Sequence, residues 1–322
     1  MDLVAIPENP VPDGAVAGGL TARDGVKLRF ARWPAVAGRK GTVCLFQGRT
    51  EFIEKYFEVV TELSSRGFAV ATLDWRGQGL SDRALADPRK GHVRRFSDYV
   101  LDLEAFVREV VLPDCPSPYF ALAHSMGGAI VMRAIHHGHR WFERIVFSAP
   151  MLALAGRAAR ATPRRTIRIS RLFGMGHSYV PGGGATAVTS LPFDGNVLTS
   201  DPVRYSRTAK IVEAAPALGL GSPTIAWLDA AYAQMTAFAD PAYPRSLTQA
   251  MLIVGAGQDA VVSTPAIEQF AIRLRAGSPV VVPGARHELL MEHDHYRNQF
   301  WAAFDAFVPG SGEAKADEPS DW

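Results

Sequence analysis

The stretch Tyr119-Phe-Ala-Leu-Ala-His-Ser125-Met-Gly-Gly128-Ala-Ile-Val131 decides how the rest of this chain is read. An apolar, strand-like run ends at a serine set among small residues and turns at once into an apolar helix. Small-x-Ser-x-Gly between strand and helix is the nucleophile-elbow pattern, in which a strained turn lifts the serine hydroxyl to an exposed apex. The turn crowds the positions two before and two after the serine, so small side chains are required there. Ala123 stands at the first of these, and Gly127 and Gly128 keep the far side open.

Working outward, apolar strands alternate with amphipathic helices. Thr21 to Phe30 reads as a hairpin around an Asp24-Gly25 turn. Gly41–Phe46 reads as a buried strand, residues 53–66 as a helix stopped by Gly67, and Phe68–Leu73 as the next strand. Asp98–Val111 reads as a helix, Arg144–Pro150 as a strand, Met251–Gly255 as another, then a helix near 266–275, a strand at Pro279–Pro283 and a last helix from Tyr296 to Phe307. This rhythm predicts an α/β fold: a mostly parallel sheet covered on both faces, with an N-terminal antiparallel hairpin. Residues 151–246 break the rhythm with helical segments (201–215 and 227–238) and a Gly182-Gly-Gly184 loop, as an inserted helical cap would. The expected organisation is a core of residues 15–150 and 247–308, a cap of 151–246, an N-terminal segment of 1–14 and a disordered, breaker-rich tail of 309–322.

Bulk properties narrow the function. The 322 residues are 48% hydrophobic and 20% charged with a net charge of +2, which gives no footprint for nucleic acid. The N-terminus lacks the basic and apolar regions of a signal peptide, and no run approaches the ~18 apolar residues of a membrane span. Two cysteines, Cys44 and Cys115, show no metal spacing and no disulfide framework, in keeping with a cytoplasmic location. His92, His124, His136, His137 and His139 lack paired metal spacing with carboxylates, so neither metal nor cofactor is assigned. Asp74-Trp-Arg-Gly77-Gln-Gly79-Leu-Ser81 lacks the Lys-Ser/Thr of a phosphate loop and reads as a structural turn bracing its neighbours.

An elbow serine needs a base, an acid to orient that base, and donors for an oxyanion. Asp259 follows the strand ending at Gly255; its plain alternative is a helix-capping aspartate. His287 follows the last strand; its plain alternative is an exposed loop histidine. Gln47-Gly48-Arg49-Thr50-Glu51 follows the strand ending at Phe46, where backbone amides of the loop and of Met126 could form an oxyanion hole. Arg49 would contribute its amide there and keep its side chain free. Arg49 and Glu51 stand as candidate substrate contacts.

Taken together, Gln47–Glu51, Asp74–Ser81, Ala84–Pro88 with Gly91–Val93, Ala123–Gly128 and Gly284–Glu288 resemble the α/β-hydrolase superfamily, and within it the bacterial lysophospholipase and monoacylglycerol-lipase branch. Asn196–Asp201, Arg204-Tyr205, Pro223-Thr224 and Trp227 extend the resemblance into the cap. It implies Ser125 as nucleophile, Asp259 as orienting acid and His287 as base, with the Arg49 and Met126 amides as the hole. It departs at Ala123, where an elbow glycine is usual, and at Gln47, where lipases often carry histidine.

Two features bear on substrate. Arg157, Arg160, Arg164, Arg168 and Arg171 fall on one helical stripe, with Ala158, Ile169, Leu172 and Phe173 roughly opposite. The stripe is either a solvated face or a surface for anionic membrane lipid, which would make the protein peripheral at the inner face of a membrane. Leu218, Leu220, Trp227 and Phe238 either line an acyl tunnel or pack the cap on the core. The expected activity is hydrolysis of a one-chain lipid ester, a lysophospholipid first. A monoacylglycerol lipase or general carboxylesterase shares the machinery. A proline-type aminopeptidase would need cap acids, for which Asp194, Asp201, Glu213, Asp229 and Asp240 are the supply, and a non-catalytic binding protein would need no triad.

Overall fold

The computed structural model describes residues 2–35, 40–161 and 163–310. Eight strands form one sheet: β1 (Val16–Thr21), β2 (Lys27–Trp33), β3 (Thr42–Phe46), β4 (Ala69–Leu73), β5 (Tyr119–His124), β6 (Arg144–Ser148), β7 (Ala250–Ala256) and β8 (Gly277–Val282). Their order is β1-β2-β4-β3-β5-β6-β7-β8, antiparallel from β1 through β4 and parallel from there on. Strands β3 and β4 are buried at every residue, the mark of a sheet covered on both faces. Phe46, at the end of β3, shows what covers it: its ring meets those of Trp75, Phe106 and Phe142 at 5.7, 6.1 and 5.7 Å.

The covering helices of the core are α1 (Phe57–Ser65), α2 (Asp98–Phe106), α3 (Leu112–Asp114) and α4 (Ser125–His136). The predicted Asp98–Val111 helix is longer than expected, because α2 runs through a π-helical segment, Val107–Val111, into α3. Between β6 and β7 lie α5 (Gly156–Ala161), α6 (Arg164–Leu172), α7 (Pro202–Ala214), α8 (Ile225–Phe238) and α9 (Ala242–Ser246), with no strand among the described residues. Two helices complete the core, α10 (Thr264–Ala271) and α11 (Asp294–Phe307). The first is shorter than the sequence suggests and begins earlier, since Ser263 caps it through a hydrogen bond from the Ala266 amide. The predicted tail falls on residues of which only 309 and 310 are described.

Polar bonds fasten the helical insertion to the core. Trp227 Nε1 donates to Tyr99 Oη at 2.9 Å, His92 Nδ1 lies 2.9 Å from Thr224 Oγ1, and Arg204 reaches Glu58 at 2.6 Å. Both cysteines are free thiols; burial pushes the Cys44 thiol well above its usual range.

Candidate active site

The carboxyl ends of parallel strands gather the chemistry, as they do in open α/β sheets. Ser125 follows β5 with φ +49°, a left-handed conformation that a non-glycine residue holds only when its surroundings enforce it. The enforcement is visible at Gly127. A Cβ added there would lie 2.5 Å from the Phe46 carbonyl oxygen and 2.6 Å from that of Gln47. The glycine is therefore demanded by the end of β3, rather than by crowding against Ala123.

His287 Nε2 lies 3.0 Å from Ser125 Oγ, and His287 Nδ1 lies 2.7 Å from Asp259 Oδ2. The three residues stand just past the ends of β5, β7 and β8, Ser125 as the first residue of α4 and the others on loops, with all three side chains in the interior. Asp259 also accepts from the Val261 and Val262 amides at 2.8 and 2.9 Å. Asp259 is therefore not the helix cap considered from sequence, a place taken by Ser263; it holds its own turn with one oxygen and His287 with the other. Burial alone would lower the His287 pKa, but the Asp259 charge and hydrogen bond outweigh it and hold the imidazole above its ordinary value. Burial raises Asp259, and the facing imidazole more than offsets it, leaving the carboxyl lowered.

Beside the serine, the Met126 amide opens α4, where first-turn N–H groups lack helical partners and the dipole favours negative charge. The Arg49 amide donates to nothing among the described residues. Gln78 and Trp75 hold this loop in place: Gln78 Nε2 donates to the carbonyls of Gly48 and Glu51, and Trp75 Nε1 to that of Gln47. The Asp74–Ser81 segment is the brace expected of it.

Arg49's side chain is not loose. Nη2 donates to the Gly221 carbonyl at 2.6 Å, and the guanidinium lies 5.2 Å from the Trp227 ring centroid. No carboxylate pairs with it among the described residues, and its buried Nε has no acceptor. Burial pulls its pKa down to about 10. Glu51 braces the loop: Oε1 lies 2.7 Å from Lys55 Nζ, while Oε2 accepts from Tyr56 Oη and the Gly48 amide. Lys55, His124 and Glu288 carry no site role that the sequence alone assigns. Two local signals were present, Lys55 four residues after Glu51 and Glu288 directly after the base.

A cavity of about 280 Å³ joins these groups. Its walls are apolar at Met151, Leu154, Val180, Trp227, Leu228 and Val262, and polar at Arg49, Glu51 and Glu288. Of the proposed tunnel residues, Trp227 reaches this cavity. Leu218 packs instead with Phe52 and Ile211, and Phe238 against Tyr243 and Phe270. None of the acids Asp194, Asp201, Glu213, Asp229 and Asp240 lines it.

Residues 37–294 match the Hydrolase_4 family, described as serine aminopeptidase, S33. The chain belongs to this family of α/β-hydrolases. It is 34% identical over 292 residues to lysophospholipase L2 of Escherichia coli, covering 86% of this chain and 83% of that protein. It is 27% identical over 291 residues to a probable lysophospholipase L2 of Haemophilus influenzae, covering 90% of each. Among solved structures, a soluble variant of Saccharomyces cerevisiae monoglyceride lipase superposes with a TM-score of 0.74 at 19% identity, covering 92% of this chain and 97% of that one. A carboxyl esterase from Bacillus coagulans does so with a TM-score of 0.74 at 16% identity, covering 93% and 99%. The protein is a carboxylic ester hydrolase.

Proposed function

We propose that this hydrolase cleaves the acyl ester of a lysophospholipid through an acyl-enzyme on Ser125. Ser125 Oγ attacks the acyl carbonyl as His287 Nε2 takes its proton, and the oxyanion accepts from the Arg49 and Met126 amides. His287 then gives the proton to the departing glycerol oxygen. In the second half, His287 draws a proton from water, the hydroxide attacks the acyl carbon, and the fatty acid leaves as Ser125 regains its proton.

The observation that carries the lipid class is Arg49, a half-buried cation lining the catalytic cavity, its Nε enclosed without an acceptor and with no carboxylate among the described residues to balance it. A partly enclosed charge without a counter-charge is costly, and a phosphate placed against it would relieve that cost. A cavity near the lower end of the ~300–1,000 Å³ range of ligand sites suits one acyl chain better than two. The lysophospholipase relatives support the same reading.

The test is fatty-acid release from lysophosphatidylethanolamine and from monoacylglycerol of the same chain, with Ser125→Ala as the blank. Preference for the lysophospholipid that disappears in Arg49→Met supports headgroup reading by Arg49. Preference for the neutral lipid in the unaltered enzyme makes the protein a monoacylglycerol lipase.

The same substrate lives in membranes, and α6 offers a surface for one. Ile167 is the buried residue of this helix, while Ile169, Leu172 and Phe173 are 54%, 79% and 78% exposed beside the exposed Arg164, Arg165 and Arg168. We propose that this face docks on anionic lipid, arginines to headgroups and apolar side chains to the acyl boundary. Arg171 is diverted to Asp229 at 2.5 Å, and the side chain of Arg157 lies outside the described residues. No helix among the described residues is long and apolar enough to cross a membrane.

A further inference from the structure

The polar end of the catalytic cavity holds ionisable groups that the steps above do not use. Lys55 Nζ lies 2.7 Å from Glu51 Oε1 and 2.7 Å from Glu288 Oε1, and all three side chains are buried. His124 packs between this cluster and the base, its ring centroid 4.9 Å from that of His287. Burial pulls the His124 pKa down to about 4, so it is neutral near pH 7. Two carboxylates therefore share one ammonium.

The two carboxylates differ in what they have left to offer. Glu51 engages both oxygens, one with Lys55 and the other with Tyr56 and the Gly48 amide. Glu288 engages only Oε1; Oε2 receives no hydrogen bond among the described residues, and the residue lines the cavity with Ser125 and His287. A carboxylate oxygen in a closed site has to be given a donor by whatever fills that site. If none is supplied, it is left buried and unpaired, which costs more than the bond itself contributes.

A lipid with one acyl chain on glycerol carries such a donor, the free hydroxyl on the carbon beside the scissile ester. A two-chain lipid has an ester oxygen there and can only accept. We propose that Glu288 selects one-chain over two-chain glycerolipids by accepting that neighbouring hydroxyl. The proposal rests on the ester-hydrolase reading with Ser125 as nucleophile, but not on the headgroup, because a lysophospholipid and a monoacylglycerol bear the same hydroxyl. A pocket built to bond a hydroxyl discriminates strongly against the analogue that lacks it, since its own polar group is then stranded.

The experiment compares kcat/KM for a 1-acyl lysophosphatidylethanolamine and its 2-deoxy analogue of the same chain and headgroup, in the unaltered enzyme, Glu288→Gln and Glu288→Leu. In the unaltered enzyme the hydroxyl substrate is favoured about 10- to 100-fold, the range of a hydrogen bond to a charged group. Glu288→Leu loses at least about tenfold of that preference. Glu288→Gln, whose amide oxygen still accepts but carries no charge, falls between. Taking a ratio within each variant cancels any change that Glu288 imposes on His287 or on folding. Equal losses on both substrates, or a preference that survives in Glu288→Leu, overturn the proposal, as does an unaltered enzyme that treats the two alike. The same comparison with a monoacylglycerol and its 2-deoxy analogue keeps the outcome separate from the headgroup question.

Discussion

Gln78 grips the oxyanion loop from the neighbouring turn, donating through one nitrogen to the Gly48 carbonyl at 2.8 Å and the Glu51 carbonyl at 3.0 Å. A single buried amide thus spans both sides of Arg49, the residue whose N–H is proposed as an oxyanion donor. The turn that carries Gln78 is itself fixed by Asp74, which accepts from the Ile53 and Leu80 amides at 3.0 and 2.8 Å and pairs with Arg29 at 2.7 Å. Preorganised donors are effective only if they do not move as charge develops, and this chain from Asp74 through Gln78 gives the proposed hole that rigidity.

Replacing Gln78 with alanine strands two buried carbonyls and frees the loop. Stability should fall by about 1–3 kcal/mol, the usual cost of leaving buried polar groups unpaired. The larger effect is expected on kcat for a short soluble ester, at least about tenfold, because loss of one oxyanion donor alone costs ~100- to 1,000-fold. Thermal melting and steady-state kinetics on p-nitrophenyl butyrate separate the two. Unchanged kcat in a destabilised protein would show that the loop keeps its shape without Gln78.

The His287–Asp259 pair predicts the shape of the pH profile. As the proposed base, His287 works as neutral imidazole, and its pKa is raised above 6.5, so the acidic limb of kcat/KM should lie above that value. Asp259→Asn removes the main raising influence; the limb should move to lower pH while the rate drops by ~10,000-fold, as when a triad acid is lost elsewhere. Linkage gives the accompanying stability effect. The raised His287 stabilises the fold below its unfolded pKa and loses that contribution as pH rises through the folded value. The lowered Asp259 contributes above its unfolded 3.8 and loses it as pH falls through the folded value. The two windows overlap in the mildly acidic range, where the melting temperatures of the unaltered protein and Asp259→Asn should differ most.

The hydrogen-bonded Ser125–His287–Asp259 arrangement was legible because each member sits just past the end of a buried strand, and strand burial is written in short runs such as Val43–Phe46 and Leu252–Val254. The proposal of the Arg49 and Met126 amides as oxyanion donors rests on the same strand-end logic. Side chains whose fate depends on distant segments were not legible. Arg49 looks free in sequence, yet the Gly221 carbonyl, 172 residues away, takes one of its nitrogens. Glu288 is next to the base in sequence, but its partner Lys55 reaches it only through the fold. Leu218 and Phe238 were apolar enough for a tunnel and were claimed by packing, the commoner outcome for residues with apolar neighbours on several sides.

Gly127 should be far less replaceable than Ala123. Alanine at 127 drives a methyl into two carbonyl oxygens of the β3 end, and backbone cannot swing aside as a flexible side chain can. Either the elbow or the oxyanion loop must shift, at about 1–3 kcal/mol. Labelling of Ser125 by a fluorophosphonate should slow by at least about tenfold, in line with disturbed oxyanion donors. Ala123→Gly adds no atoms and should cost about 0.5–1 kcal/mol from strand entropy, with labelling largely retained. Equal labelling in both variants would show that the elbow tolerates the intrusion.

The α6 surface gives a prediction that separates docking from catalysis. Leu172→Asp with Phe173→Asp removes the two most exposed apolar side chains of the helix end and places negative charge among the arginines. Binding to vesicles containing phosphatidylglycerol should fall by at least about tenfold, since each buried apolar side chain contributes ~1.5–3 kcal/mol. Arg164→Ala with Arg168→Ala should weaken binding more at low than at high salt, because their attraction is screened over a Debye length of about 10 Å at 0.1 M. In both variants the rate on lipid presented in vesicles should follow binding, with the rate on p-nitrophenyl butyrate as the internal reference. Loss of both rates together would mean that the substitutions disturb the cap where α6 packs on α8. Vesicle binding that survives the aspartates would leave the arginine stripe as a solvated face.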